Sequence, residues 1–270
     1  MIQAIRRRTN IYGAMAGIVP KTFLAYSLWV WVSLFLNTIT MTILVFFWKA
    51  VYADTGTIAG LDLQTTLTYI LLAQIFLPLG DLSMIFEFGY SLREGGIAHA
   101  LLRPVDFQGG FYVQYMTQTL TSLFLQIPMA LVAWLVFGLR FPTDLQLWAV
   151  FILSAILGRT ILFFFDWMLA CLTFYTTEVW GLGVLVYGAS LFFSGSLVPL
   201  AMLPGWLQTF ALATPFAQAL YVPLSLLTGI TPLSQAPMVL LIQVILLITL
   251  GVLSRLFFRV AVRKVTVQGG

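Results

Sequence analysis

Residues 88–105 read Phe88-Gly-Tyr-Ser-Leu-Arg-Glu-Gly-Gly-Ile-Ala-His-Ala-Leu-Leu-Arg-Pro-Val105 and form the longest strongly polar interruption between the apolar segments of the chain. Gly95 and Gly96 allow a sharp turn here, because glycine tolerates positive φ angles. Residues 97–102 then have the pattern of a short amphipathic helix, which Pro104 ends. A short helix with one apolar and one charged face, held between two membrane spans, is suited to docking on another protein.

The composition predicts what surrounds this loop. The 270 residues are 61% hydrophobic and only 8% charged, with a mean hydropathy of +1.01. A soluble domain carries about a quarter charged residues, so most of this surface faces something other than water. Several apolar runs exceed the roughly 20 residues that a helix needs to cross a bilayer, and the alternating segments of a barrel are missing. The sequence therefore predicts an all-α polytopic membrane protein.

Six apolar segments are predicted to span the membrane, and counts of five or seven stay open. The predicted spans are residues 26–51, 65–88, 111–137, 147–175, 182–200 and 237–258. Residues 203–235 carry no charge but several prolines, which predicts two short helices, 205–213 and 216–227, that dip into the outer leaflet and return. The prolines expected to shape this outer hairpin are Pro199, Pro204, Pro215 and Pro223.

The first 20 residues are predicted to form an amphipathic helix on the membrane surface. Apolar residues such as Ile2 and Ile5 fall near one helical face, with Arg6, Arg7 and Arg8 displaced from it. A flexible basic leader that only sets the topology is the alternative.

Basic residues near the span ends predict the orientation. With the N-terminus inside, only Lys49 and Arg140 fall on the outer side, and the inner side receives Arg6, Arg7, Arg8, Lys21, Arg93, Arg103, Arg255, Arg259, Arg263 and Lys264. We therefore expect a multi-pass protein of the inner (plasma) membrane, with both termini and the loop 89–106 in the cytoplasm.

Three ionisable residues, Asp81, Arg159 and Asp166, fall inside predicted spans. Arg159 and Asp166 are seven residues apart and so share a helix face. A charge in hydrocarbon costs at least a few kcal/mol, which predicts that Arg159 pairs with Asp81 or Asp166. A structural ion pair between the second and fourth spans is favoured over a polar element on a transport path, because one pair makes a poor proton relay.

Residue counts exclude several kinds of site. One histidine, His99, and one cysteine, Cys171, cannot build a zinc site, and Ser194 and Ser196 are predicted to lie across the membrane from His99, which excludes serine hydrolysis. No lysine follows a glycine, so the phosphate-binding loop of nucleotide-binding proteins is missing. We expect no catalytic residue, metal or ATP site in this chain and no nucleic-acid partner, and a lipid-modifying enzyme is disfavoured.

Two motifs together carry a resemblance to a known family. The loop Leu92-Arg-Glu-Gly-Gly-Ile-Ala-His-Ala-Leu-Leu-Arg-Pro-Val105 follows the second span, and Phe193-Ser-Gly-Ser-Leu-Val-Pro-Leu-Ala-Met-Leu-Pro-Gly-Trp-Leu207 leads into the hairpin. In this order, with six spans and a basic N-terminal helix, the whole chain resembles the permease subunit of type-two ATP-binding-cassette (ABC) exporters. Within that family it resembles the small-permease branch, whose loop carries an "R-x-G … LLRP" pattern.

The resemblance implies a permease that works as a dimer, with itself or with a related permease, on separate ATPase subunits that bind the ATP and magnesium. The loop would be the coupling helix that contacts the ATPase, and a second, smaller contact would lie at residues 176–180. The implied coupling residues are Arg93, Glu94, Gly95, Gly96, His99, Leu102, Arg103, Pro104 and Glu178. The family exports lipids, glycans, peptides or drugs, and the sequence does not indicate which of these is the substrate. It does not indicate the direction of transport either.

An ion-coupled secondary transporter or channel is the alternative class, with Asp81, Arg159 and Asp166 as its ion-linked site. Such folds often contain internal repeats with paired broken helices, and the two halves of this sequence show no convincing repeat.

Overall fold

The computed structural model describes residues 13, 16–18, 20–21, 27–82, 84–93, 106–175 and 180–264. Its helices are α1 (Ser27–Val51), α2 (Leu63–Ile75), α3 (Met84–Arg93), α4 (Phe107–Leu125), α5 (Ile127–Phe137), α6 (Leu145–Leu172), α7 (Trp180–Phe193), α8 (Gly205–Ala213), α9 (Pro215–Ala219), α10 (Tyr221–Leu227) and α11 (Ala236–Ala261). Two short strands, β1 (Thr57–Ile58) and β2 (Leu61–Asp62), form an antiparallel hairpin between α1 and α2. The described part of the chain is predominantly helical, as predicted.

Within the described residues, four stretches are long and apolar enough to cross a membrane: Val30–Val51, Phe107–Phe137, Leu145–Leu172 and Leu233–Ala261. The helices α2 and α7 are apolar but shorter. Large apolar side chains cover the outside, including Trp31 at 64% exposure and Leu185 at 69%, as expected of a surface in contact with lipid. The prediction of a helical membrane protein is confirmed, and the count of six spans stays a prediction.

The predicted surface helix, residues 1–20, lies largely outside the described residues. Positions 13, 16–18 and 20 are described and are helical. Its amphipathic face and its place on the membrane therefore stay predictions.

The segment predicted as one span over 65–88 is two helices with a break between them. The helix α2 ends at Ile75, and the chain then tightens into a 3-10 turn over Leu77–Gly80. Pro78 has no N–H to continue the α-helical ladder, and Asp81 is extended, with ψ 138°. The chain becomes helical again at Met84, the first residue of α3. The discontinuity lies in the middle of the segment and decides where the candidate site forms.

The predicted outer hairpin contains the expected helices, with one further division. The helix α8 has the predicted bounds 205–213, whereas the predicted helix 216–227 is divided at Leu220 into α9 and α10. Pro223 lies in the first turn of α10 and cannot donate a bond back to Ala219, which accounts for the division. The placement of the hairpin in the outer leaflet stays a prediction.

The remaining prolines of the hairpin region begin helical elements. Pro199 precedes the 3-10 turn Leu200–Met202, Pro204 precedes α8, and Pro215 is the first residue of α9. At the start of a helix the missing N–H costs nothing, because the first amides have no helical partner.

The hairpin packs closely on α6 and α11. Gly158 of α6 lies against the backbone of Gln218, and a methyl group at Gly158 would overlap the Gln218 carbonyl. The same carbonyl oxygen accepts a hydrogen bond of 3.2 Å from Nε2 of Gln243 on α11, which also donates to the carbonyl of Ser154 at 3.3 Å. Gln243 is fully buried. One amide side chain therefore joins three elements at a point where the backbones are already in contact.

Replacing Gly158 with alanine should destabilise the protein by about 1–3 kcal/mol, because the added methyl forces the hairpin away from α6. Thermal unfolding in detergent measures the effect. Gly188→Ala on α7 is the matched control, since no atom lies within 4 Å of the position that its methyl group would take. Equal melting temperatures for the two variants would contradict the packing described here.

Candidate functional site

The helix α6 supports both sides of the break in the second predicted span. The break leaves carbonyl groups at the end of the first half and amide groups at the start of the second half without helical partners. Inside a membrane such groups must find their partners within the protein. Arg159 and Asp166, two turns apart on α6, supply them.

Arg159 binds the carbonyl end of the break. Its Nη1 donates to the carbonyl oxygens of Leu79, at 3.1 Å, and Asp81, at 2.6 Å, and its Nε donates to Oγ1 of Thr119 at 2.7 Å. The guanidinium carbon lies 3.7 Å from the centroid of the Tyr115 ring. Arg159 is 2% exposed. Carbonyl dipoles, a hydroxyl group and an aromatic face therefore stabilise this buried cation.

Asp166 binds the amide end of the break. It is fully buried, and its Oδ2 accepts a hydrogen bond of 3.2 Å from the backbone amide of Met84, the first residue of α3. A carboxylate at a helix N-terminus and a cation at a helix C-terminus both match the sign of the helix dipole. Arg159 and Asp166 are therefore each placed at the end of the break that favours their ionised form.

The predicted ion pair between Arg159 and Asp81 or Asp166 is wrong. Across the described ranges the single ion pair joins Arg255 and Asp106, and Arg159 takes no part in it. Arg159 does contact Asp81, but through the backbone carbonyl. The break in the second span provides carbonyl oxygens directly beside the guanidinium, and these replace the expected carboxylate.

A cavity of about 510 Å³ opens beside the break, between α1, α4 and α7. Its volume lies in the range of small-molecule sites. The polar residues of its wall include Asp81, Arg159, Asn37, Gln118, Tyr187 and Ser190. The α1 wall consists of Val30, Ser33, Leu34 and Asn37, which recur at the spacing of one helical face. Sequence reasoning missed this cavity, although Gln118, Thr119 and Ser122 are conspicuous polar residues in an apolar segment.

Most of the predicted coupling residues lie outside the described residues. They are Glu94, Gly95, Gly96, His99, Leu102, Arg103, Pro104 and Glu178. Arg93 is the last residue of α3. The coupling contact itself therefore stays a prediction, whereas both flanks of the loop 89–106 can be described.

One aromatic cluster holds both flanks of this loop. Phe88 on α3 and Phe107 at the start of α4 both pack against Trp167 of α6, with ring centroids 5.6 and 5.8 Å apart. Phe107 also stacks on Phe258 of α11 at 5.4 Å. The chain that enters the loop and the chain that leaves it are therefore both fixed to α6, and the second is also fixed to α11.

A bidentate ion pair reinforces the second flank. Oδ2 of Asp106 accepts a bond of 2.8 Å from the amide of Gly109 and so caps α4, and the same carboxylate binds Arg255 of α11 at 2.6 and 2.7 Å. The hydrogen bond from Arg255 holds the pKa of Asp106 below its usual range. Sequence reasoning assigned Arg255 only to the positive inner side, because its partner is 149 residues away.

Replacing Arg159 with glutamine should cost about 2 kcal/mol or more, because the carbonyls of Leu79 and Asp81 lose charge-assisted hydrogen bonds in a buried place. Thermal unfolding in detergent measures the loss. Arg140→Gln, at an exposed arginine, should change stability by less than about 0.5 kcal/mol. If the two variants had the same melting temperature, the role of Arg159 at the break would be refuted.

The Asp106–Arg255 pair should stabilise the protein in a pH-dependent way. Since the pKa of Asp106 is lowered in the folded state, the contribution is fully present above the unfolded value of about 3.9 and is lost as the pH falls through the folded-state pKa. The side chains are 49% and 44% exposed, so the contribution is at most about 1 kcal/mol.

The measurement compares the melting temperature of the wild type with that of Arg255→Gln. The difference should be present at pH 7 and narrow below about pH 4. Arg259→Gln, four residues along α11, is the control and should show no such pH dependence. A difference that stayed constant from pH 7 to pH 3 would contradict the assignment.

Helices of membrane-crossing length, a broken helix and a polar cavity between helices define a polytopic membrane protein. The sequence model for the ABC-2 family transporter protein matches residues 38–269, and the chain belongs to this family. It is therefore a transmembrane permease of an ABC transporter, and its family implies an ATP-binding-cassette subunit as partner. No curated protein and no solved structure gives a significant match. The family match confirms the resemblance seen in the sequence and favours the permease over the ion-coupled transporter or channel.

Proposed function

We propose that this chain forms half of the translocation pathway of an ATP-driven exporter and that the loop 89–106 couples it to a separate ATPase subunit. The observation that carries the proposal is the family match over residues 38–269. The chain lacks the glycine-lysine loop that binds nucleotide phosphates, so ATP and magnesium would bind to the partner. A second permease, identical or related, would complete the pathway.

The proposed location is the inner (plasma) membrane, with both termini and the loop 89–106 in the cytoplasm. The basic residues at the span ends support this orientation, since only Lys49 and Arg140 then fall outside. The loop would then face the compartment that supplies ATP.

The flanks of the loop support a mechanical route from the ATPase to the cavity. Phe88 and Phe107 pack against the same side chain, Trp167, so a push on the loop would move α3 and α4 as one unit. Close-packed aromatic rings transmit such a displacement rather than absorb it. The other end of α3, Met84, is bonded to Asp166 at the break. Closure of the partner ATPase subunits would in this way change the shape of the cavity.

Replacing Glu94 or Arg103 with alanine should reduce coupling to the ATPase roughly tenfold or more, because charged contacts at the centre of an interface carry much of its binding energy. The readouts are co-purification of the ATPase in mild detergent and transport-linked ATP hydrolysis in proteoliposomes. Membrane insertion should be unchanged.

Charge-matched controls come from the predicted outer side. Asp54→Ala corresponds to Glu94→Ala, and Arg140→Ala corresponds to Arg103→Ala. Both controls should retain coupling. Normal coupling in the two loop variants, or purification of the wild type without any ATPase subunit, would refute the proposed mechanism.

A further inference from the structure

The cavity beside the helix break presents one cation and one carboxylate that are not paired with each other. Among its lining residues, Arg159 is the basic side chain and Asp81 the acidic one. Arg159 bonds to the Asp81 carbonyl oxygen, and across the described ranges it forms no ion pair with the carboxylate. The carboxylate accepts no hydrogen bond from the residues that the structure describes, and Asp81 is exposed.

The guanidinium of Arg159 has N–H donors that form no hydrogen bond in the described part of the chain. Nε and Nη1 supply three hydrogen bonds, to Thr119, Leu79 and Asp81. A guanidinium has five N–H donors, so the two on Nη2 remain without a partner in the described part of the chain. Arg159 lines the cavity, and Nη2 is not among the polar atoms sealed inside the protein. The acceptor that best matches this free edge is the oxygen atom of an anionic group.

Asp81 decides what kind of ligand can carry that anionic group. A simple anion that reached Arg159 would also face the Asp81 carboxylate, and a simple cation that reached Asp81 would face the guanidinium. Like-charge contacts of this kind disfavour both. A molecule that carries an ammonium group and an anionic group a short distance apart satisfies both side chains at once.

The rest of the wall suits an apolar tail. Leu34 and Leu125 line the cavity together with the polar residues. The N-terminal half of α1 borders it, and the neighbouring side chains Trp31 and Phe35 are 64% and 66% exposed on the lipid-facing surface. A hydrocarbon chain can therefore lie against α1 while its headgroup occupies the cavity.

We infer that this cavity binds the headgroup of a zwitterionic amphiphile, with the anionic group at Arg159 and the ammonium group at Asp81. The inference rests on the proposed transport function and names the substrate class of the same site. Binding to the permease requires neither ATP nor the ATPase subunit, so its test is independent of the coupling experiment.

The test measures binding to the purified full-length chain in a neutral maltoside detergent. The probes share one hydrocarbon-chain length and differ in charge: lysophosphatidylethanolamine is zwitterionic, lysophosphatidic acid is anionic and a primary alkylamine is cationic. The wild type should bind the zwitterionic probe at least about tenfold more tightly than either other probe, as one matched charge pair provides. Equal affinity for the three probes, or a preference for a singly charged one, would overturn the inference.

Asp81→Asn is the decisive variant, because its carboxylate forms no hydrogen bond within the described structure and its loss should leave the fold intact. Affinity for the zwitterionic probe should fall roughly tenfold, and affinity for the anionic probe should rise, since the repelling charge is gone. Asp54→Asn is the matched control, because Asp54 is an exposed carboxylate that does not line the cavity. It should change neither the affinity for the zwitterionic probe nor that for the anionic probe. An unchanged order of probe affinities in Asp81→Asn would refute the role of Asp81.

Discussion

The structure depends on how a membrane protein satisfies the backbone of an interrupted helix. Where the second predicted span breaks, polar groups are exposed that hydrocarbon cannot solvate. The helix α6 supplies the partners for these groups. The Arg159 guanidinium binds the carbonyl end of the break, and the Asp166 carboxyl group binds the amide end. The Arg159 cation is expensive to bury alone, and the carbonyl groups that it meets compensate it. The break and the two charges therefore require one another.

This arrangement connects the parts of the molecule that the proposed transport function needs. The break forms one wall of the cavity, and α3 leads from it into the loop 89–106. On that flank Phe88 meets Trp167, which lies on α6 one residue beyond Asp166. Arg159 at the cavity and Trp167 at the flank of the loop 89–106 thus lie about two turns apart on a single helix.

Hydropathy and proline positions predicted much of the fold. The helix α8 has its predicted bounds, and the last predicted span, 237–258, lies within α11. The sequence analysis missed the break because the mean hydropathy of this apolar segment is high. Two local indications of an interruption, Pro78 and Asp81, do not lower that mean enough to show. Read together, a proline and an acidic residue three positions later indicate an interruption rather than a continuous span.

The candidate site was predictable only in its charged residues. Asp81, Arg159 and Asp166 were identified from the cost of charge in hydrocarbon, but the partner of Arg159 was not. A backbone carbonyl is present at every position and loses its helical partner where a helix stops, so the residue type at that position does not indicate it. Arg255 and Asp106 were equally hidden, because their contact depends on the way the last helix returns to the start of α4.

The return of α11 also has a consequence for biogenesis. Gln243 of α11 joins the hairpin to α6, and Arg255 of the same helix binds Asp106 at the end of the loop 89–106. The ribosome makes α11 after every element that it fastens. The contacts of Gln243 and Arg255 with these elements can therefore form only after α11 has been made.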